Sequence, residues 1–146
     1  MFTASASPSM FSRAQAFTQA YRSVGVETGV GAATPHQLVA MLYDGLLDSL
    51  ARARGALRAG RVDVKAAELT RAVRIVDEGL KAALSPAGGE LSQRLGELYA
   101  YLSLRLTQAN LRNDEATIEE CVRLVEPLQD AWNAIRPQVD LPGSAR

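Results

Sequence analysis

The side chains that could carry chemistry are few and lie far apart in the chain. There is one histidine, His36, and one cysteine, Cys121. A carboxylate-bridged metal site in a helical protein needs Glu-x-x-His pairs on facing helices, and one histidine cannot supply them. A nucleophilic cysteine needs a nearby base, whereas Cys121 falls on an apolar stripe, where a free cysteine packs as a small hydrophobe. We therefore predict no catalytic residues, no metal and no cofactor, and we expect His36 to be exposed in the first turn of a helix.

Opposite charges are concentrated in two segments of a chain whose net charge is zero. A neutral chain has no overall field that attracts nucleic acid or an anionic membrane. Arginines cluster at 52–61 and acidic residues at 115–130, and we expect the two segments to pair with each other or with water. No apolar run reaches the ~18 residues of a membrane span, and no signal peptide is recognisable. We therefore predict a cytoplasmic protein with no nucleic-acid binding and no membrane insertion.

Apolar periodicity predicts five helices and no strand. Segments at about 13–24, 34–59, 63–84, 90–111 and 114–136 repeat apolar residues every three or four positions. Short connections make neighbouring long helices antiparallel. The predicted fold is an all-α, antiparallel four-helix bundle with a short N-terminal cap helix. It forms a single domain over 13–137, between a flexible arm at 1–12 and a flexible tail at 138–146.

Capping residues predict where several of these helices begin. Thr34 is a good N-cap, Pro35 suits the first helical position, and the glutamine three positions after Thr34 completes a capping box. Asp63 and Asp114 are the predicted caps of the third and fifth helices. Pro127 lies inside the last helix and is expected to kink it one turn earlier, because proline has no amide hydrogen to donate.

The helix predicted at 34–59 carries more apolar residues than one core stripe requires. The additional side chains are Leu38, Met41, Tyr43 and Leu47, and Tyr99 and Tyr101 similarly flank the helix at 90–111. Two readings are open: these side chains fill a wide bundle interior, or they line a groove for an amphipathic helix or extended segment of a partner. A cap segment with Phe17, Tyr21 and Val24 could cover such a groove when it is empty.

An ordered set of short motifs runs from about Ala20 to Ile135. The motifs are Ala20-Tyr21, Val26-Glu27-Thr28, Ala33-Thr34-Pro35, Met41-Leu42-Tyr43-Asp44-Gly45, Gly89-Glu90-Leu91, Leu98-Tyr99-Ala100-Tyr101, Ala109-Asn110-Leu111-Arg112-Asn113-Asp114 and Asp130-Ala131-Trp132. Their order and spacing resemble the FliS family of flagellar secretion chaperones. The resemblance implies a cytoplasmic helical bundle that binds the C-terminal segment of flagellin and prevents its premature polymerisation. It also implies delivery of flagellin to the flagellar type III export apparatus.

The resemblance and the surplus apolar residues together assign roles to particular positions. The predicted partner contacts are Tyr21, Leu38, Met41, Leu42, Tyr43, Leu47, Tyr99 and Tyr101. The predicted structural residues are Thr34, Pro35, Gly45, Asn110, Asn113, Asp114 and Trp132, with Gly45 permitting close helix approach. The implied cap segment, which includes Tyr21, occupies the cleft until flagellin displaces it. Ala100 and Leu104 depart from the family pattern, in which an acidic residue and an arginine are frequent at those positions.

The implied partners are the flagellin C-terminal segment and the flagellar export gate, with a flagellar assembly regulator as a further candidate. Monomer and weak dimer remain equally open. One function from a different class also remains open, namely a helical-bundle adaptor or oligomerisation module unrelated to secretion.

Overall fold

Residues 33–135 are described by a computed structural model, and they contain four α-helices and no strand. The helices are α1 (Pro35–Arg58), α2 (Val62–Arg74), α3 (Gly89–Arg112) and α4 (Glu115–Ala134). A π-helical segment, Ile75–Leu80, extends α2, and a 3₁₀ turn, Pro86–Gly88, precedes α3. The predicted all-α fold is confirmed. The predicted arm, the cap segment with Phe17, Tyr21 and Val24, and the tail lie outside the described residues.

The four helices form a closed ring around one apolar core. Each helix packs against its neighbours in the sequence, and α1 also packs against α4. The connections at 59–61, 81–88 and 113–114 are short, so consecutive helices run antiparallel. All four helices contribute fully buried side chains to the core, among them Leu42, Leu69, Leu106 and Ile118. Removing these apolar surfaces from water is the main source of the stability of such a bundle.

Two helix starts are capped as predicted. The Thr34 hydroxyl accepts a hydrogen bond from the Gln37 amide at 3.1 Å, and the Gln37 side-chain oxygen accepts one from the Thr34 amide at 2.9 Å. This reciprocal pair satisfies amides that an α-helix leaves without partners in its first turn. Asp114 caps α4 by accepting from the Ala116 amide at 3.1 Å. Asn113 takes the left-handed conformation, with φ of 52°, and so reverses the chain between α3 and α4.

The third helix starts within one residue of the predicted position, but its predicted cap and its predicted C-terminal end are wrong. The helix begins at Val62 after Arg61, which forms no side-chain cap, and Asp63 lies in its first turn. There its negative charge faces the positive end of the helix dipole. At Ile75 the α-helix becomes a π-helix, in which Gly79 lies directly against Leu42 of α1. A methyl group on Gly79 would approach the Leu42 Cδ2 atom to 2.8 Å. The spacing of apolar residues in the sequence does not reveal this close contact.

Two further details concern the last two helices. The turn predicted from Asn110 starts later, because α3 continues to Arg112 and Asn110 is helical. α4 continues through Pro127, which is exposed, as is Arg123 one turn before it. The Arg123 carbonyl cannot receive the usual hydrogen bond from Pro127, but on an exposed helix face water can reach it. The kink itself stays a prediction.

Candidate partner-binding site

Each residue of the string Tyr43-Asp44-Gly45 contacts a different helix of the bundle. The Tyr43 hydroxyl lies 2.6 Å from the Tyr99 hydroxyl on α3. The Asp44 carboxylate accepts from the Gln129 amide nitrogen on α4 at 2.6 Å. The Gly45 carbonyl accepts from the Arg71 guanidinium on α2 at 3.3 Å. Successive residues of an α-helix point about 100° apart, so three consecutive positions can contact three different neighbouring helices.

The Tyr43–Tyr99 pair is buried in the core. Burial raises the pKa of Tyr43, and the hydrogen bond with Tyr99 opposes that rise in part. Burial also raises the pKa of Tyr99, and the proximity of Tyr43 raises it further. Both phenols are therefore held neutral, and one hydroxyl donates to the other.

The predicted contact residues divide into buried and accessible sets. Leu38, Leu42, Tyr43 and Tyr99 are at most 3% exposed and belong to the core. Met41 and Leu47 are half-buried and pack against it, and Tyr101 is 41% exposed. The structure brings Tyr43 and Tyr99 together but separates Met41 from Leu47, because a difference of six positions places them on different sides of α1. Their role in partner binding stays a prediction.

Tyr101 is fixed by a polar network between α3 and α4. Its hydroxyl donates to one carboxylate oxygen of Glu120 at 2.5 Å, and Arg105 Nε donates to the other at 2.8 Å. Hydrogen bonds from Tyr101 and then from Arg105 lower the pKa of Glu120. Arg105 also donates to the Thr117 hydroxyl at 3.3 Å. The aromatic ring of Tyr101 is thus presented at the surface in a defined orientation.

His36 is the clearest correction at the level of single residues. It was expected to be exposed, but it is 3% exposed and its ring stacks on that of Trp132, with centroids 4.6 Å apart and an angle of 9°. The Trp132 indole nitrogen donates to the His36 carbonyl at 2.9 Å. The His36 Nε2 atom lies 3.0 Å from the Trp132 carbonyl, where it can only donate. The antiparallel arrangement places the end of α4 over the first turn of α1, and this tertiary contact buries His36.

Lys65 is a structural residue that the sequence analysis missed. It is buried, and its ammonium donates to both oxygens of Asn110, the carbonyl at 2.8 Å and the side-chain amide at 2.6 Å. These bonds tie α2 to Asn110 in the last turn of α3. The sequence contains one indication that Lys65 is buried, because Lys65 lies four positions before Leu69 and therefore on the same buried side of α2.

The arginine and glutamate segments pair across α1 and α4, as predicted. Arg58 Nε donates to Glu115 at 2.8 Å, and Arg54 lies 3.4 Å from Glu119. Hydrogen bonding to Arg58 lowers the pKa of Glu115.

Within residues 33–135, no group of three or more His, Cys, Asp or Glu side chains could hold a metal ion. In the same range, no helix is both long and apolar enough to cross a membrane.

Comparison with known proteins gives a consistent result. The sequence profile of the family described as "Flagellar protein FliS" matches residues 17–139. The "Flagellar secretion chaperone FliS" of Salmonella typhimurium is 46% identical over 127 residues, which cover 86% of this chain and 94% of that protein. The protein of the same name from Escherichia coli is 42% identical over 79% of this chain and 85% of its own length. The "Flagellar secretion chaperone FliSB" of Pseudomonas aeruginosa is 37% identical over 79% of this chain and 91% of its own length.

Proposed function

Because the chain belongs to the FliS family, we propose that it is a cytoplasmic flagellar secretion chaperone whose client is flagellin. It binds the C-terminal segment of flagellin, prevents premature polymerisation and delivers the client to the export apparatus. The observation that carries the proposal is the match to relatives named as flagellar secretion chaperones, which extends over 94% of the Salmonella protein. The string Tyr43-Asp44-Gly45 lies inside the matched range, and its residues connect α1 to the other three helices.

The bundle suits this task because its own core is complete. Buried side chains from all four helices already form one apolar cluster, so the fold does not need the client in order to bury them. A client segment can therefore wrap around the outside of the bundle, where Met41 and Leu47 on different sides of α1 and Tyr101 on α3 leave apolar surface accessible. A segment that is disordered before binding can fold as an amphipathic helix on such a surface.

Release of the client follows from the same physics. Ordering a disordered segment costs about 2–5 kcal/mol or more of the gross interaction energy, so a large contact surface need not give irreversible binding. The cap segment with Tyr21 gives the chaperone a second means of control, because it competes with the client for the groove. The export gate receives the complex, and a flagellar assembly regulator is a candidate partner of the free chaperone.

The proposal is tested with full-length flagellin and flagellin lacking its C-terminal segment. We expect calorimetry to detect binding to the first and none to the second, and we expect the chaperone to delay polymerisation of the full-length protein. Retained binding to the truncated flagellin contradicts the proposed binding mode. The absence of binding to either protein favours the adaptor or oligomerisation module instead.

Removal of residues 1–24, or Tyr21→Ala, is expected to leave the bundle folded and to change the affinity for flagellin.

A further inference from the structure

Side chains between α3 and α4 form one continuous series of hydrogen bonds that ends at the exposed ring of Tyr101. Asp114, the N-cap of α4, accepts from the Thr117 hydroxyl at 2.9 Å. The Thr117 hydroxyl in turn accepts from Arg105 at 3.3 Å, and Arg105 Nε donates to Glu120 at 2.8 Å. The Tyr101 hydroxyl donates to the other carboxylate oxygen of Glu120 at 2.5 Å. The phenol is therefore fixed relative to the start of α4.

The carboxylate of Glu120 is held in place independently of Tyr101. Arg105, which binds it, also donates to the Gln108 side chain at 2.7 Å and to the buried Thr117. A guanidinium presents its donors in a rigid, planar arrangement, so three acceptors leave it a single orientation. Glu120 therefore offers the Tyr101 hydroxyl an acceptor at a constant position, whether or not a partner is bound.

Tyr101 differs in exposure from the other aromatic side chains of the bundle. Within residues 33–135 it is the one aromatic residue that is exposed, at 41%, whereas Tyr43 and Tyr99 are buried and Trp132 is half-buried. Tyrosine is frequent among the residues that dominate binding energy at protein interfaces, because it combines a large contact area with few rotatable bonds. Tyr101 is thus the aromatic position in this range that a partner can reach most easily.

Half-buried leucines lie beside the ring. Leu98 precedes Tyr101 by three positions on α3, and Leu124 follows Glu120 by four positions on α4. Because the two helices run antiparallel, both leucines lie about one turn from the Tyr101–Glu120 bond, toward the same end of the bundle. Both pack against the core and remain partly accessible. A segment that contacts the ring can therefore extend over apolar surface of both helices.

We propose that Glu120 is a positioning residue for client binding, which holds the Tyr101 ring in the orientation that contacts the flagellin segment. The inference rests on the proposed function, which supplies flagellin as the client. Immobilising a side chain on binding costs free energy, and a ring that is already held has less freedom to lose. Glu120 therefore raises the affinity through Tyr101 and does not itself touch the client.

The neighbouring residue Glu119 provides a matched control for a purely structural role. Its carboxylate pairs with Arg54 of α1 at 3.4 Å, and the two side chains are 33% and 35% exposed. Arg105 and Glu120 are 29% and 30% exposed and likewise join two helices. Ion pairs this accessible to solvent contribute little to stability. Glu119→Ala and Glu120→Ala should therefore have similar, small effects on unfolding, while only Glu120→Ala releases Tyr101.

Calorimetric titration of the full chain with full-length flagellin tests the positioning role. Tyr101→Ala is expected to lower the affinity about tenfold or more, because it removes the ring itself. Glu120→Ala is expected to lower it about two- to tenfold, because the ring must then be ordered on binding. Glu120→Gln should keep an affinity close to that of the wild type, since an amide can either accept from the phenol or donate to it. Glu119→Ala should leave the affinity unchanged.

The double variant Tyr101→Ala/Glu120→Ala shows whether Glu120 acts through the ring. Its affinity should equal that of Tyr101→Ala alone, because the side chain that Glu120 positions is absent. Thermal unfolding of every variant separates a loss of affinity from a loss of structure. If the wild type binds flagellin and Glu120→Ala binds equally well, or if Glu120→Ala weakens binding further in the Tyr101→Ala background, the positioning role is overturned and the proposed function stands. A wild-type protein that does not bind flagellin overturns both.

Discussion

The hydroxyl oxygens of Tyr43 and Tyr99 lie 2.6 Å apart, and this bond links two helices that are not neighbours in the ring. Both residues are almost completely buried, at 3% and 2% exposure. The sequence offers these tyrosines as parts of two separate motifs, and the structure joins the motifs in one buried contact. The contact fixes α1 relative to α3 across the core.

Removal of either hydroxyl is expected to destabilise the bundle. Tyr43→Phe and Tyr99→Phe should each lower the free energy of unfolding by about 1–2 kcal/mol, because the remaining buried hydroxyl loses its partner. The double variant should lose less than the sum of the two, since no unpaired hydroxyl is left. Urea unfolding of the four proteins measures this coupling. Tyr101→Phe is the control, because its hydroxyl bonds Glu120 at the solvent-exposed surface and its loss should leave stability nearly unchanged. Strictly additive losses for Tyr43 and Tyr99 would contradict the contact.

The same pair predicts how stability depends on alkaline pH. Burial raises the pKa of Tyr43 and Tyr99 above the ordinary value of 10.0, so the folded protein keeps these protons longer than the unfolded chain does. This contribution to stability is complete below pH 10 and is lost as the pH rises above it. Burial likewise raises the pKa of Cys121 from 9.0 to about 12, so its contribution is lost between those values.

The two sources are separated by measuring unfolding in a Cys121→Ala background. There, the decline in stability should begin near the ordinary tyrosine pKa of 10.0. Tyr43→Phe/Tyr99→Phe in the same background should flatten the decline. An unchanged slope would mean that these phenols ionise as easily in the folded state as in the unfolded one.

Local patterns predicted the helices of this protein well. The spacing of residues such as Leu42, Leu46 and Leu50 identifies the buried stripe of α1, because a helix repeats every 3.6 residues. The capping residues Thr34 and Asp114 act within their own turns, so they were also recognisable in the sequence. Interactions confined to a few adjacent positions leave a local signal.

Contacts between helices were less predictable. The burial of His36 depends on Trp132, 96 positions away, and nothing in its own turn indicates that partner. The approach of Gly79 to Leu42 joins two helices and is likewise non-local. For the candidate site, the motifs placed Tyr43 and Tyr99 among the partner contacts but did not reveal that both lie in the core, bonded to each other. Whether an apolar residue is core or contact surface depends on how many helices surround it.

Two glycines give opposite predictions for the same substitution. Gly79→Ala should destabilise the protein by about 1–3 kcal/mol, because the added methyl would lie 2.8 Å from Leu42 Cδ2 in a filled core. Gly55→Ala should instead stabilise it by about 1 kcal/mol, since Gly55 is an exposed α1 residue with no atom within 4 Å of the added group. Thermal unfolding of both variants measures the difference. Equal effects of the two changes would show that Gly79 does not mark a close helix contact.

The stacked His36–Trp132 pair can be followed directly, because Trp132 is the single tryptophan. His36→Ala removes both the ring that covers the indole and the hydrogen bond to the Trp132 carbonyl. We expect a red shift of the tryptophan emission and a loss of about 1–3 kcal/mol in the free energy of unfolding.

His36→Phe separates the two contributions, because it keeps an aromatic ring against the indole and removes only the side-chain donor. Its emission should stay close to that of the wild type, while its stability falls between those of the wild type and His36→Ala. If His36→Ala leaves both the emission and the stability unchanged, the start of α1 does not pack against the end of α4 in solution. In that case the ring of four helices would be open at this end.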